Sequence, residues 1–278
     1  AIDSDATRVG LAQGREADRL HRKLKLPTLA DEWGFTVVPP NEDDAISLDF
    51  AVDDLAYSGR GCTTLELDSN LGMLFVGCKL VPYVFVLDVR DDSTTSFDDL
   101  NYLGIETVLS IVTSTGSDSG IRDLVADPGR GVLWGIADEP DGIYAIRIDD
   151  VVDDARTEVL RDRILGILTL PAGLERDEGV DSQASVGPAQ IAMHPDGEHL
   201  FVTNFNDNSL SVYDLSIGPI GTLVGTADAI GENPYGLALT PDGLYAVVAN
   251  YSGEVGVDVS STLVVIDADP ASSSFLSA

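Results

Sequence analysis

The segment "GPAQIAMHPDGEHLFVTNFNDNSLSVYDL" (residues 187–215) predicts three antiparallel strands joined by tight turns. Apolar side chains recur two residues apart at Ile191 and Met193, which is typical of a strand with one buried face. Pro-Asp-Gly at 195–197 favours a tight reversal, because proline fixes φ, aspartate accepts local backbone hydrogen bonds and glycine tolerates positive φ. Two further apolar runs, "HLFVT" and "LSVYDLS", complete an antiparallel meander.

Three other segments align with the first two strands of this meander. They are "GCTTLELDSNLGMLFVGCKL" (61–80), "GIRDLVADPGRGVLWGIADE" (120–139) and "NPYGLALTPDGLYAVVANY" (233–251). Each copy is followed by a third apolar strand, and three copies by a weaker fourth: "TVLSIVT", "RILGILTL" and "IGTLVGT". One such sheet cannot bury both of its faces, whereas copies stacked around an axis can. The repeat therefore predicts an all-β fold, a β-propeller of four-stranded antiparallel blades that start near residues 61, 120, 187 and 233.

The third and fourth copies resemble the YVTN type of β-propeller repeat. "FVTN" (201–204) and "VVAN" (247–250) carry its characteristic strand ending, while the first two copies have "FVGC" and "WGIA" there. The resemblance covers about residues 61–269. It implies a ring that is usually seven-bladed, so the four clear copies are expected to be part of a longer ring; a closed ring of four or five blades is the open alternative. Surface-layer-like and periplasmic propellers are members of this group, and propeller lactonases share a similar blade signature.

The sequence before the repeats differs in charge. Residues 1–30 contain six of the 16 basic residues and are predicted to form a basic N-terminal arm that docks on an acidic body, its own or a partner protein's. A poorly ordered terminus is the alternative. Residues 31–60 are expected to supply a partial blade or closing strands, and residues 61–278 the propeller repeats.

The overall charge limits the partners. With 47 acidic residues against 16 basic ones and a net charge of −31, the chain is not expected to bind nucleic acid, whose phosphates it would repel. No apolar run reaches the roughly 18–20 residues of a membrane span. A Cys-x-x-Cys-His motif is absent from the sequence, so covalently bound haem is not expected. Such an acidic surface suits high salt, divalent cations or basic protein partners, and solubility alone is an equal alternative.

The two cysteines fall on one predicted hairpin. Cys62 opens its first strand and Cys78 closes its second, so the register predicts a disulfide between them. Two buried free thiols are the alternative. A disulfide indicates an oxidising compartment, and we expect the protein in the periplasm, at the cell surface or secreted.

The loops after each second strand are predicted to share one rim with the starts of the first strands. Binding residues concentrate on loops that a rigid scaffold holds. The candidates for contact with a partner or ligand are Asn204, Asn206, Asp207, Asn250, Tyr251 and Glu254. For Asn204 and Asn250 the favoured alternative is that each side chain caps its turn.

The histidines around the Pro-Asp-Gly turn raise the question of a metal. His194 and His199, with Glu198, could face one ion across the hairpin. However, the aligned positions in the other copies hold unrelated residues, which favours a structural role, and no metal site is predicted. Paired aspartates such as Asp91 and Asp92 indicate a solvated acidic surface, although calcium is an alternative. No cofactor is expected.

The sequence contains no familiar catalytic motif, neither Gly-x-Ser-x-Gly nor a P-loop nor His-Glu-x-x-His. Among the starts of the first strands, only Arg122 is a titratable candidate, and no catalytic residue is predicted. The main prediction is a non-catalytic extracytoplasmic propeller that binds proteins or acts as a scaffold, for example as an accessory subunit of an envelope assembly. The alternative is a propeller-lactonase-like hydrolase that acts on a sugar lactone.

Overall fold

The computed structural model describes most of the repeat region. The described residues are 61–88, 120–138, 141–149, 151, 163–171, 186–251 and 262–278, together with the backbone of four further strands at 49–52, 55–58, 105–110 and 158–160. The basic arm (1–30), the first part of the predicted closing segment (31–48) and Glu254 lie outside these ranges. Within them every regular element is a β-strand, and there is no helix with the length and apolar character that a membrane crossing needs.

Eighteen strands are present in the described part of the chain. In chain order they are β1 (Asp49–Val52), β2 (Leu55–Ser58), β3 (Cys62–Asp68), β4 (Met73–Cys78), β5 (Tyr83–Asp88), β6 (Ile105–Ser110), β7 (Ile121–Asp127), β8 (Val132–Asp138), β9 (Asp141–Arg147), β10 (Glu158–Leu160), β11 (Ile164–Leu168), β12 (Pro188–Met193), β13 (His199–Asn204), β14 (Ser209–Asp214), β15 (Thr222–Ala227), β16 (Pro234–Leu239), β17 (Tyr245–Asn250) and β18 (Leu263–Asp267).

The strands form four successive blades. Blade 1 is β3-β4-β5-β6, blade 2 is β7-β8-β9-β11, blade 3 is β12-β13-β14-β15 and blade 4 is β16-β17-β18, all antiparallel. The predicted propeller class is confirmed, including the three weaker fourth strands, which are β6, β11 and β15. β1 and β2 form a separate hairpin.

One strand was not predicted. β10 pairs in parallel with β6, with Glu158 opposite Thr107, and so adds a fifth strand to the outer edge of blade 1. In sequence β10 lies between β9 and β11, which both belong to blade 2. The chain therefore leaves blade 2, pairs with blade 1 and returns.

Apolar cores lie between neighbouring blades, as stacking requires. Each of the three cores combines side chains of two successive blades; examples are Phe75 and Leu133, Trp134 and Leu200, and Phe201 and Val248. The second strands supply much of this core, and all six residues of β4 are buried. Since full burial of one large apolar side chain contributes roughly 1.5–3 kcal/mol, the interfaces between blades hold the propeller together.

Polar side chains also join the first strands of neighbouring blades. Asp123 Oδ2 accepts a hydrogen bond from the backbone N–H of Ile191 (3.0 Å), and Asp123 Oδ1 accepts one from Thr64 Oγ1 (3.0 Å). One blade further on, Gln190 Oε1 accepts from the N–H of Leu237. Asp123 and Gln190 occupy the same repeat position, so both bonds run from one blade to the next.

Candidate functional site

One edge of the blades gathers the starts of the first strands and the ends of the second strands. Pro188 pairs with Asn204 in blade 3, and Pro234 pairs with Asn250 in blade 4. Cys62 pairs with Cys78 at the same edge of blade 1. We call this edge the rim, and the opposite edge, which has the Pro-Asp-Gly turns, the turn face.

Two of the predicted rim residues are buried and hold their loops. Asn204 Nδ2 donates to Ser209 Oγ (2.9 Å) and Ser211 Oγ (2.6 Å). Asn250 Nδ2 donates to the carbonyl of Ile230 (2.9 Å) and to Thr262 Oγ1 (3.0 Å). These bonds are the kind that the capping alternative expected, whereas ligand contact by either asparagine stays a prediction.

The loop between β13 and β14 continues the rim. Asn206 and Asp207 are half-buried there, and the backbone N–H of Asn206 donates to the carbonyl of Val186 (3.0 Å). Asn208 has a positive φ of 56°, and its side-chain oxygen accepts from the N–H of Asn233 (2.8 Å) at the start of blade 4. Sequence reasoning missed Asn208, although asparagine is among the residues that adopt this backbone conformation most readily.

Three aromatic rings meet on this rim. The ring centroids of Phe205 and Tyr235 are 6.3 Å apart and perpendicular, and those of Phe205 and Tyr251 are 6.5 Å apart. Tyr235 is 47% exposed and Tyr251 57% exposed, so both present ring surface to solvent. We call these three residues the rim aromatic cluster. Tyr251 was predicted as a rim residue; Phe205 was missed because an apolar residue within a polar loop gave no periodic signal.

A cation lies at the junction of blades 2 and 3. The Arg122 guanidinium donates to the carbonyl of Pro188 (3.1 Å), which starts the first strand of blade 3. Beside it in sequence, Asp123 is partly buried at the interface between blades. Burial raises the pKa of the Asp123 carboxyl, although its bonds to Ile191 and Thr64 act in the opposite direction.

The disulfide closes the rim of blade 1. Cys62 and Cys78 are bonded, as predicted. Next to this bridge, the N–H of Gly120 donates to the carbonyl of Lys79 (3.2 Å) and connects blade 1 to the start of blade 2. A Cβ at Gly120 would lie 1.9 Å from the carbonyl oxygen of Cys78, so only glycine fits at this approach.

The turn face is built from bonds between successive turns. The Arg130 guanidinium donates to the carbonyl of Gly197, and His194 Nε2 lies 2.9 Å from the carbonyl of Gly243. Gly197 and Gly243 are the glycines of two aligned Pro-Asp-Gly turns. This contact fits the predicted structural role of His194.

The third group beside the histidines is an aspartate. Asp196 Oδ2 lies 2.9 Å from His194 Nδ1 and 2.7 Å from His199 Nδ1, where sequence reasoning named Glu198 instead. Burial pushes the pKa of Asp196 up, but the N–H of Glu198 and the two imidazoles outweigh it and lower that pKa to about 2. Spacing alone could not choose between Asp196 and Glu198, because the turn decides which side chain points across the hairpin.

Comparison with known proteins identifies the fold. A family model described as "Lactonase, 7-bladed beta-propeller" matches residues 166–271, which is less than half of the chain and runs from β11 to β18. The chain is a β-propeller. Hydrazine synthase of Kuenenia stuttgartiensis matches with a TM-score of 0.52 and 14% identity, over 76% of this chain and 47% of that one.

A second solved structure is similarly close. The periplasmic gluconolactonase PpgL of Pseudomonas aeruginosa matches with a TM-score of 0.51 and 18% identity, over 76% of this chain and 54% of that one. The propeller chain therefore spans about half the length of these two structures. No curated protein matches its sequence.

The prediction of a non-catalytic scaffold is corrected by these findings. The match to a lactonase family favours the hydrolase alternative over the scaffold. The scaffold prediction rested on the repeat, the acidic charge, the scarcity of lysine and the predicted disulfide, together with the absence of catalytic motifs. Such motifs record residues that are close in sequence, whereas a propeller can assemble a site from residues of several blades, each a repeat apart.

Proposed function

We propose that this chain contributes to a lactonase-like hydrolase that opens a sugar lactone at the rim. The observation that carries the proposal is the match of residues 166–271 to the seven-bladed lactonase family. The fold likeness to the periplasmic gluconolactonase agrees with it. Blades 3 and 4, whose repeats resemble the YVTN type, build the part of the rim on which the aromatic side chains are exposed.

The rim offers a surface for a sugar ring. Tyr235 and Tyr251 expose aromatic faces, and the carbon-bound hydrogens of a sugar ring can pack against such faces. Ligand sites combine apolar surface of this kind with a few polar groups that fix orientation. Asn206 and Asp207, on the same loop as Phe205, are the polar groups that we assign to this role.

Hydrolysis adds water to the lactone carbonyl carbon and breaks the ring C–O bond. Negative charge develops on the carbonyl oxygen, and a fixed cation stabilises it. Arg122 is our candidate for this cation, because its guanidinium is held at the start of blade 3 by the Pro188 carbonyl. Asp207 is our candidate for the base that takes the proton from water. The released ring oxygen accepts a proton, so the product is a hydroxy acid and no redox cofactor is required.

We propose an extracytoplasmic location for this activity. The Cys62–Cys78 bridge supports it, since disulfides persist in oxidising compartments. The periplasmic origin of one structural neighbour agrees.

The test uses the full chain and gluconolactone, with acid release followed in a pH-stat. We expect hydrolysis above the spontaneous rate, and a loss of about 100-fold in kcat for Arg122→Ala, the size seen when one oxyanion-stabilising group is removed. Arg122→Lys should restore part of the rate.

Arg130→Ala is the matched control, because it removes the same charge from the turn face. Its kcat should equal that of the unaltered chain. If the unaltered chain does not exceed the spontaneous rate with gluconolactone or with other five- and six-membered sugar lactones, the proposal is wrong. An equal loss of activity in both arginine variants would remove Arg122 from the mechanism.

A further inference from the structure

The turn face of blade 3 brings three metal-ligating side chains together. One ligand atom from each of His194, Asp196 and His199 lies within 4.8 Å of the other two. The cluster is on the edge opposite the rim, so it takes no part in the hydrolysis proposed above. It combines two imidazole nitrogens with one carboxylate oxygen, a set that differs from the oxygen-only clusters of an acidic surface.

The environment of His194 determines which of its ring nitrogens carries the hydrogen. His194 is buried, and its Nε2 lies 2.9 Å from the carbonyl oxygen of Gly243, which can only accept a hydrogen bond. Nε2 therefore carries the hydrogen, and in the neutral imidazole the lone pair of Nδ1 lies on the side of the cluster, where it accepts a hydrogen bond from the backbone N–H of Asp196 (3.2 Å) that a metal ion would have to replace. Metal-binding histidines are usually oriented in this way, with the second nitrogen donating to a backbone carbonyl or carboxylate.

The carboxylate is oriented in a similar way. Asp196 Oδ1 accepts hydrogen bonds from the backbone N–H groups of Glu198 (2.7 Å) and His199 (3.1 Å). These bonds leave Oδ2 facing His194 Nδ1 at 2.9 Å and His199 Nδ1 at 2.7 Å. Without a metal, His199 Nδ1 can satisfy Asp196 Oδ2 by donating its hydrogen. With that hydrogen displaced, both Nδ1 atoms and Oδ2 present lone pairs to one point, where a cation would bind.

The aligned turn of blade 4 has the same aspartate but no histidine beside it, so it can be compared with the turn of blade 3. There Thr240 Oγ1 donates to Asp242 Oδ1 (2.6 Å), so a hydroxyl hydrogen satisfies the carboxylate. Asp242 Oδ1 also accepts from the N–H of Leu244 (3.1 Å), as Asp196 Oδ1 does from Glu198. The two turns share their backbone bonds, but only blade 3 surrounds the carboxylate with two imidazoles.

We propose that His194 Nδ1, His199 Nδ1 and Asp196 Oδ2 bind one divalent transition-metal ion of the zinc class. Zinc prefers nitrogen, sulfur and carboxylate ligands in tetrahedral geometry, and solvent supplies the fourth ligand because Asp196 is partly exposed. Bonds of about 2.0–2.1 Å place tetrahedral ligands roughly 3.3 Å apart, so the two short contacts widen by about half an ångström on binding. Because His194 also bonds to Gly243, the ion stabilises the contact between blades 3 and 4.

The test is a titration of the chelator-treated full chain with Zn²⁺ in the presence of excess Ca²⁺, which occupies the acidic surface. We expect one tight zinc site and a rise in Tm. Co²⁺ in place of Zn²⁺ should give the visible absorption bands of a tetrahedral nitrogen and oxygen site. His199→Ala should weaken zinc binding at least tenfold, and Asp196→Asn should do the same.

The matched control is Thr240→Ala in blade 4, which should leave zinc affinity unchanged. Because His194 is buried and its replacement can unfold the turn, the exposed Asp196 and the partly buried His199 carry the test. Equal zinc affinity in His199→Ala and the unaltered chain, or displacement of zinc by Ca²⁺, would overturn the proposal and assign the binding to the acidic surface.

Discussion

Blade 1 and blade 3 close the rim at the same repeat position with different chemistry. In blade 1 Cys78 bonds covalently to Cys62 across the hairpin. In blade 3 the aligned residue is Asn204, whose buried amide donates to two serine hydroxyls of β14. In both blades the rim end of the second strand is held in place, by a covalent bond in blade 1 and by a buried amide in blade 3. Sequence identity at a repeat position is therefore a weak guide to function, whereas the accessible side chains that are not repeated are a better one.

The largest effect should follow from loss of the covalent closure. Replacement of both cysteines, Cys62→Ala with Cys78→Ala, should lower the free energy of unfolding by about 3 kcal/mol, the amount that loop-closure entropy predicts for a separation of 16 residues. Urea denaturation measures it. The unaltered chain under reducing conditions is the control and should show a similar loss. A loss below about 1 kcal/mol would mean that the disulfide adds little to the stability that packing already gives this hairpin.

Loss of the amide closure should have a somewhat smaller effect. Asn204→Ala leaves the buried hydroxyls of Ser209 and Ser211 without their donor and should cost about 2 kcal/mol. Asn70→Ala, which removes an exposed asparagine from a turn of blade 1, is the control and should stay within about 0.5 kcal/mol. Equal values for the two variants would show that burial of the amide contributes nothing to the closure.

The smallest effect on the free energy of unfolding should come from the hydrogen bonds between the first strands of neighbouring blades. Because burial raises the pKa of Asp123, the folded chain binds this proton more tightly than the unfolded chain. Its contribution to stability is therefore greatest below the ordinary carboxyl pKa and is lost as pH rises through the raised value. Asp123→Asn, which resembles the aligned Gln190, should remove this dependence.

Urea midpoints between about pH 4 and pH 7 measure the difference between the Asp123→Asn variant and the unaltered chain. We expect the variant to gain relative stability as pH rises, by less than about 1 kcal/mol if the asparagine retains one of the two bonds. A constant difference across this range would show that Asp123 has the same proton affinity in both states.

Much of the fold could be predicted because it is repeated and local. Alternating apolar positions and Pro-Asp-Gly turns located the blades, and their register placed Cys62 opposite Cys78. β10 could not be predicted, since a three-residue strand has no readable period and its partner β6 belongs to another blade. The hydrogen bonds that Asp123 and Gln190 make to the next blade could not be predicted either, because each partner is distant in sequence.

The candidate site could be predicted less well. The sequence predicted which loops form the rim and that Tyr251 belongs to it. It did not predict the role of Phe205, because the position of this ring depends on the conformation of its loop. The choice of Asp196 over Glu198 depended on side-chain direction across a tight turn. The hydrolase was placed second because a comparison of the starts of the first strands found only one titratable residue, Arg122, where a shared catalytic site would need several.

The path of the chain through β10 has a consequence for folding. A repeat protein whose units close one after another can lose a terminal unit and keep the rest. Here the connection between β9 and β11 of blade 2 contains β10, which pairs with β6 at the outer edge of blade 1. Blades 1 and 2 should therefore fold and unfold as one cooperative unit, and a shortened chain that begins at residue 120 would leave β10 without a partner.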